Sequence, residues 1–199
     1  MITLKNTELQ HVTPESVGVK SSAIKAFVDE INSKKLGLQS FTMVRHDKVF
    51  AQGFWKPYAA DIPHVLYSMS KSVTSTAVGF AVDEGLISLD DKVCKFFPEY
   101  FAAKLPINKA LTVRMLLTMR SDKFITVFDE KGGKDWIKQF FDAGYMMPPN
   151  TKFNYISENT FMLSAIVSKV TGMSVADYLY PRMFAPLGIE KPFWETDGK

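Results

Sequence analysis

The sequence predicts an α+β fold in which one helix and a β-hairpin are followed by helices to the end. Three observations carry that prediction. Ile24, Phe27, Val28 and Ile31 recur at spacings of three, four and seven, which puts an apolar stripe on one face of a helix. Residues 39–45 and 49–55 flank His46-Asp47-Lys48 and carry Phe41, Met43, Val44, Val49, Phe50 and Phe54, a pattern that suits a β-hairpin. From Ser68 onward the apolar spacing becomes almost wholly helical.

The elements follow in order. The first helix is expected to be capped by its own serines, Ser21 and Ser22. After the hairpin, a run of small residues from Ser72 to Gly79, uncharged until Asp83, predicts a closely packed helix over 68–84 with Gly85 closing it. Ser88-Leu89-Asp90-Asp91 starts a short element that stops before Pro98. Thr112 caps a helix over 113–119, and 134–141 reads as a short amphipathic helix. A turn at Pro148-Pro149-Asn150 precedes a helix over 158–170 that ends at Gly172, and Ser174 caps a last helix that Pro181 kinks or ends. Two regions result: 1–66, a helix and hairpin contributing to an antiparallel sheet, and 67–199, a helical region. A lone hairpin is marginal in water, so strands that should pair with it are expected to lie outside this chain.

The 199 residues are 46% hydrophobic with 16 Phe, enough for a substantial core. The net charge is +3 with scattered basic residues, so no nucleic-acid groove is indicated. A single cysteine, Cys94, excludes an intramolecular disulfide and reads as a small core-facing residue. No apolar run approaches the roughly 20 residues that cross a bilayer, and Met1-Ile2-Thr3-Leu4-Lys5 shows no signal peptide. The expectation is a soluble, cytoplasmic protein with no membrane partner.

The chemistry is carried by Ser68 and Lys71, in Leu66-Tyr67-Ser68-Met69-Ser70-Lys71. Residues three apart on a helix share a face, so the ammonium and hydroxyl can meet. A serine hydroxyl becomes a nucleophile when a neighbour takes its proton. Val65, Leu66, Tyr67 and Met69 are expected to supply apolar cover that would desolvate the lysine. S-x-x-K alone is weak, since a chain this long shows roughly one by accident. Ser22-Ala23-Ile24-Lys25 is a second copy, read as structural because it sits on the amphipathic first helix. Ser121-Asp122-Lys123 is a further candidate, one residue away from S-D-N and read as a turn. The chain contains no G-x-S-x-G, H-E-x-x-H, G-x-G-x-x-G or phosphate loop. His11, His46 and His64 form no metal-ligand set, and His64 reads as a loop residue.

Several blocks in a fixed order extend the motif: Tyr67-Ser68-Met69-Ser70-Lys71-Ser72, Asp83-Glu84-Gly85-Leu86-Ile87-Ser88-Leu89-Asp90-Asp91-Lys92-Val93, Leu116-Leu117-Thr118-Met119, Phe153-Asn154-Tyr155-Ile156-Ser157, Val170-Thr171-Gly172-Met173-Ser174 and Pro186-Leu187-Gly188-Ile189. Together, over about 10–195, they resemble the serine β-lactamase and penicillin-binding-protein superfamily, in the branch of class C β-lactamases, D-aminopeptidases and esterases. The resemblance implies a β-lactamase/transpeptidase-like fold and an acyl-enzyme mechanism on an amide or ester. In it Ser68 is the nucleophile, Lys71 and Tyr155 move the proton, and Ser157 stands in the substrate-binding place where asparagine is commonest. Ser157 could equally cap the helix that follows it. No metal or organic cofactor is implied.

The family's third box, K-T-G or H-x-G on a later strand, is absent, and Lys169-Val170-Thr171-Gly172 carries an extra residue at a helix end. The resemblance therefore implies an amino-terminal portion of a longer protein. Such a portion would be a homo-oligomer or the partner of a complementary carboxy-terminal fragment. The alternative functions are a non-catalytic ligand-binding sensor and an inactive oligomeric fragment.

Overall fold

The computed structural model describes residues 9–100, 106–124 and 135–195. The chain divides into two compact units, 1–65 and 66–199. The first unit holds β1 (Gln10–His11), α1 (Ser21–Ser33), β2 (Ser40–Arg45) and β3 (Lys48–Phe54). The strands lie in the order β1-β3-β2, with β1 parallel and β2 antiparallel to β3. The hairpin turn is tighter than expected, because His46 and Asp47 both adopt positive φ (52° and 58°) and Lys48 already pairs with Arg45. Two successive residues with positive φ match the twist of the strands they join. β1 was not expected, since two residues give no alternation to read.

Gly53 sits opposite Phe41, whose ring would lie 2.5 Å from any Cβ added there. The ring is thereby free to meet Phe27 of α1 edge-on at 5.3 Å. Trp55 Nε1 donates to Asn32 Oδ1 at 2.8 Å, tying the end of α1 to the end of the hairpin. The start of α1 corrects the expected cap. Lys20 occupies the cap position with no side-chain bond, and the Glu15 carboxylate accepts from the Ser21 amide at 2.7 Å. A carboxylate is a stronger acceptor for helix-start amides than a hydroxyl, and the bond holds Glu15 below its ordinary pKa.

The second unit is helical: α2 (Ser70–Asp83), α3 (Val113–Leu117), α4 (Trp136–Asp142), α5 (Ser157–Thr171) and α6 (Val175–Leu179), joined by short 3₁₀ turns. Gly85 and Gly172 close α2 and α5 with φ of 71° and 69°, and Thr112 and Ser174 cap α3 and α6 as expected. Asp135 caps α4 by accepting from the Lys138 amide, and the expected start at Lys134 lies outside the described residues. α6 ends at Leu179, and Pro181 lies inside a wide turn over Tyr180–Phe184 that follows it. The core brings Ala77, Val78 and Ala81 of α2 together with Met162, Ile166 and Val167 of α5, around Val93, Leu116, Phe140 and Leu179. The small residues of α2 let α5 approach closely, which fixes the two elements that carry the candidate site. Cys94 is half-buried beside this core rather than inside it. No helix among the described residues is long and apolar enough to cross a membrane.

Candidate active site

Ser68 lies in a single 3₁₀ turn, Tyr67–Met69, that runs directly into α2. Lys71 is the second residue of α2, and its Nζ donates to Ser68 Oγ at 2.9 Å. Tyr155 comes from 87 residues away, on an extended segment that ends where α5 begins. Its hydroxyl donates to Ser68 Oγ at 2.7 Å, and its ring stands 5.0 Å from Lys71 Nζ. Three side chains from two segments thus meet at one oxygen.

The Ser68 hydroxyl, and after it the Lys71 ammonium, hold the Tyr155 phenol below its ordinary pKa. A contact of 2.7 Å between two hydroxyl oxygens serves either direction of donation. Once the phenol is deprotonated, the same bond can carry the proton of Ser68.

The expected apolar cover is absent. Val65 (76% exposed), Tyr67 (83%) and Met69 (68%) are open, and Leu66 is exposed as well. Tyr67 and Met69 lie in a single 3₁₀ turn, too short to present a common buried face, so apolar neighbours in sequence do not become a shell around the lysine. Lys71 is half-buried, with the Tyr155 ring and the Ser68 hydroxyl beside its ammonium.

Tyr155 is held in place by residues 119–123. The Met119 carbonyl accepts from the Asn154 amide at 2.8 Å, and the Arg120 carbonyl accepts from the Asn150 amide at 2.8 Å. The Asp122 carboxylate accepts from the Thr151 and Lys152 amides at 3.1 and 3.4 Å. The Arg120 side chain donates to Asn150 Oδ1 and to the Asn150 carbonyl, both at 2.8 Å. Ser121-Asp122-Lys123 is therefore part of a buried brace, and among the described residues no hydrogen bond joins the Ser121 side chain to Ser68 or Lys71. Ser121 Oγ is fully buried without a hydrogen-bond partner among the described residues, and Met119 and Asp122 take positive φ of 55° and 56°. Sequence reading described a turn there and missed the support it gives to the Tyr155 segment. No local pattern signals the bonds from the Thr151 and Lys152 amides to the Asp122 carboxylate, which only the folded chain makes visible.

Ser157 is the first residue of α5 and is half-buried. The cap position belongs to Ile156, so Ser157 is not the N-cap. Among the described residues no hydrogen bond joins its side chain to Ser68 or Lys71. Ser22 and Lys25 behave as a structural pair: Lys25 Nζ reaches Asp29 Oδ2 at 2.5 Å, and Ser22 is exposed. His64 contacts Gln39 at 3.1 Å and stacks on Tyr58, as a loop residue would. No group of three or more His, Cys, Asp or Glu among the described residues is arranged to hold a metal ion.

Comparison with known proteins places this geometry in context. The family model for beta-lactamase matches residues 24–199. The chain is 30% identical over 182 residues to penicillin-binding protein 4 of Amycolatopsis lactamdurans, covering 87% of this chain and 44% of that protein. It is 24% identical over 200 residues to the 6-aminohexanoate-dimer hydrolase of Paenarthrobacter ureafaciens, covering 90% of this chain and 50% of the hydrolase. The chain thus spans half or less of the length of these two relatives. Among solved structures, a penicillin-binding-protein homologue from Caulobacter crescentus aligns with a TM-score of 0.66 at 20% identity, over 92% of this chain and 51% of that one. That likeness supports the β-lactamase/transpeptidase-like fold.

Proposed function

The chain belongs to the beta-lactamase family, and we propose that it supplies the nucleophile and proton-transfer groups of a serine hydrolase acting on an amide or ester. The observation that carries this reading is the convergence of Lys71 Nζ and the Tyr155 hydroxyl on Ser68 Oγ, at 2.9 and 2.7 Å. In the proposed reaction Ser68 Oγ attacks the substrate carbonyl carbon and forms a C–O bond. Its proton passes to the deprotonated Tyr155 oxygen, while the Lys71 ammonium stays charged and stabilises that phenolate.

The tetrahedral oxyanion develops beside the turn that runs into the 14-residue α2, where the positive end of the helix dipole favours negative charge. Collapse breaks the bond to the leaving amine or alcohol, which takes the proton from Tyr155. Water then attacks the acyl-Ser68 ester, with the phenolate taking one proton and returning it to Ser68. The result is the free acid and the starting enzyme.

A fluorophosphonate probe, followed by peptide mapping, tests the reading. The adduct is expected on Ser68 and is expected to vanish in Ser68→Ala. An adduct on Ser22, Ser70 or Ser157 would overturn it.

A further inference from the structure

The residue before the nucleophile sits in a strained backbone conformation. Tyr67 takes φ of 46°, in the left-handed region that a bulky side chain rarely occupies. Glycine would adopt this conformation without penalty. The strained turn is what delivers Ser68 to the mouth of α2, so the backbone shape has a use. The tyrosine ring is not needed for that shape. Tyr67 is 83% exposed, and no hydrogen bond or ring contact holds its side chain among the described residues. The chain therefore keeps an aromatic residue at a position where its backbone is costly and its ring packs against nothing in this unit. The ring stands one residue from the attacking oxygen. On the other side of Ser68, Met69 is 68% exposed and also uncharged.

We propose that Tyr67 is a specificity-determining residue whose exposed ring forms an apolar wall beside Ser68, selecting acyl donors with an aromatic or long apolar group next to the scissile carbonyl. The inference rests on Ser68 being the nucleophile. An aromatic ring offers a flat, rigid surface at a low entropy cost, and it rewards a stacked or edge-on partner beyond simple area burial. A small acyl group, such as acetyl, gains nothing from that surface. The ring therefore separates substrates by their acyl side and leaves the proton transfer at Ser68 untouched.

The test compares kcat/KM for p-nitrophenyl phenylacetate with that for p-nitrophenyl acetate in the wild-type chain, Tyr67→Ala and Tyr67→Gly, with Ser68→Ala as the zero. The two substrates share a leaving group, so the ratio reports only the acyl side. The wild-type chain is expected to prefer phenylacetate by roughly tenfold, a usual size for one aromatic contact. In both Tyr67 variants the ratio should collapse towards that of the free esters in buffer. Tyr67→Gly relieves the backbone strain, so its melting temperature should equal or exceed that of the wild type, which separates loss of selectivity from loss of fold.

An unchanged ratio in Tyr67→Ala would overturn the proposal. So would an equal fall for both esters, since that would make Tyr67 a support for the geometry of Ser68. If wild type and Ser68→Ala hydrolyse both esters equally, the nucleophile assignment itself fails and the inference falls with it.

Discussion

The chain carries the same tetrapeptide pattern twice, and the two copies end in opposite circumstances. In α1, Lys25 turns along the helix to Asp29 and leaves Ser22 in solvent. In α2, Lys71 turns back one helical turn to Ser68, and a tyrosine from another segment arrives at the same oxygen. Spacing is identical, so spacing does not make the site. The difference is the competing partner. A carboxylate four residues on captures the first lysine, because opposite charges at i and i+4 lie side by side on a helix. The second lysine has Ser75 at that position and no acid nearby in sequence until Asp83. A third lysine completes the contrast: Lys123 is buried almost completely, donates to the Ala143 carbonyl at 2.9 Å and makes no hydrogen bond to a serine among the described residues.

The largest effects are expected at the copy with the tyrosine. Ser68→Ala should remove acylation entirely, whereas Ser22→Ala should leave the extent of labelling where it was. Tyr155→Phe takes away only an exposed hydroxyl, so folding should survive while acylation falls by about 10²–10⁴, the usual range for a proton-transfer group. The pH profile sharpens this. Because Ser68 and Lys71 hold the phenol below its ordinary value, acylation by the wild type should rise with pH and level off below the reference value near 10. The phenylalanine variant should lose that rise. Turnover of Tyr155→Phe within a factor of two of wild type would remove the tyrosine from the mechanism.

Sequence alone made this contrast visible in part. The stripe of Ile24, Phe27, Val28 and Ile31 identified α1 as amphipathic, and the family blocks around Ser68 and Tyr155 singled out residues that the fold then brings to 2.7 Å. Three features escaped it for definite reasons. β1 is two residues long, too short for any period. The exposure of Val65, Tyr67 and Met69 depends on a single 3₁₀ turn, whereas hydropathy records only that they are apolar. The brace formed by 119–123 depends on amides contributed by 146–154, and no local pattern encodes a partner that far along the chain.

Lys123 offers the next largest effect, on stability rather than on acylation. Its ammonium has one carbonyl acceptor and stands over the rings of Tyr145 at 4.3 Å and Phe140 at 5.0 Å. Burial lowers its pKa to about 7, with the more distant Asp142, itself paired with Lys138, opposing the shift. Burial likewise raises the Tyr145 phenol, whose hydroxyl donates to Asn108. The sign follows from linkage. Between about pH 7 and the ordinary lysine value near 10.4, the unfolded chain holds a proton that the folded chain lacks, so stability rises with pH through that window. Below it, both states are protonated and the cost of the buried charge is present in full. Lys123→Met, similar in volume and without the charge, should raise stability at pH 6 by about 2–4 kcal/mol and change it far less near pH 10. Denaturant melts at the two pH values decide this, and an unaltered pH slope in the variant would remove Lys123 as its source.

The smallest effects belong to the first copy, and their smallness is the point. Ser22 and Lys25 are exposed, and Lys25 makes one surface ion pair with Asp29. Pairs of this kind contribute about 0.3–0.5 kcal/mol and weaken as salt screens them. Lys25→Ala should therefore lower stability by no more than that amount at low ionic strength, and the difference from wild type should fade in 0.5 M salt, a concentration at which the screening length falls to about 4 Å. Ser22→Ala should lie within about 0.5 kcal/mol of wild type in either condition, as expected for a surface substitution. Neither change should alter the rate at which an ester acylates Ser68. If Ser22→Ala slowed that reaction severalfold while the melting transition stayed in place, the first copy would be part of the site, and competition for the lysine would no longer explain why one serine reacts and the other does not.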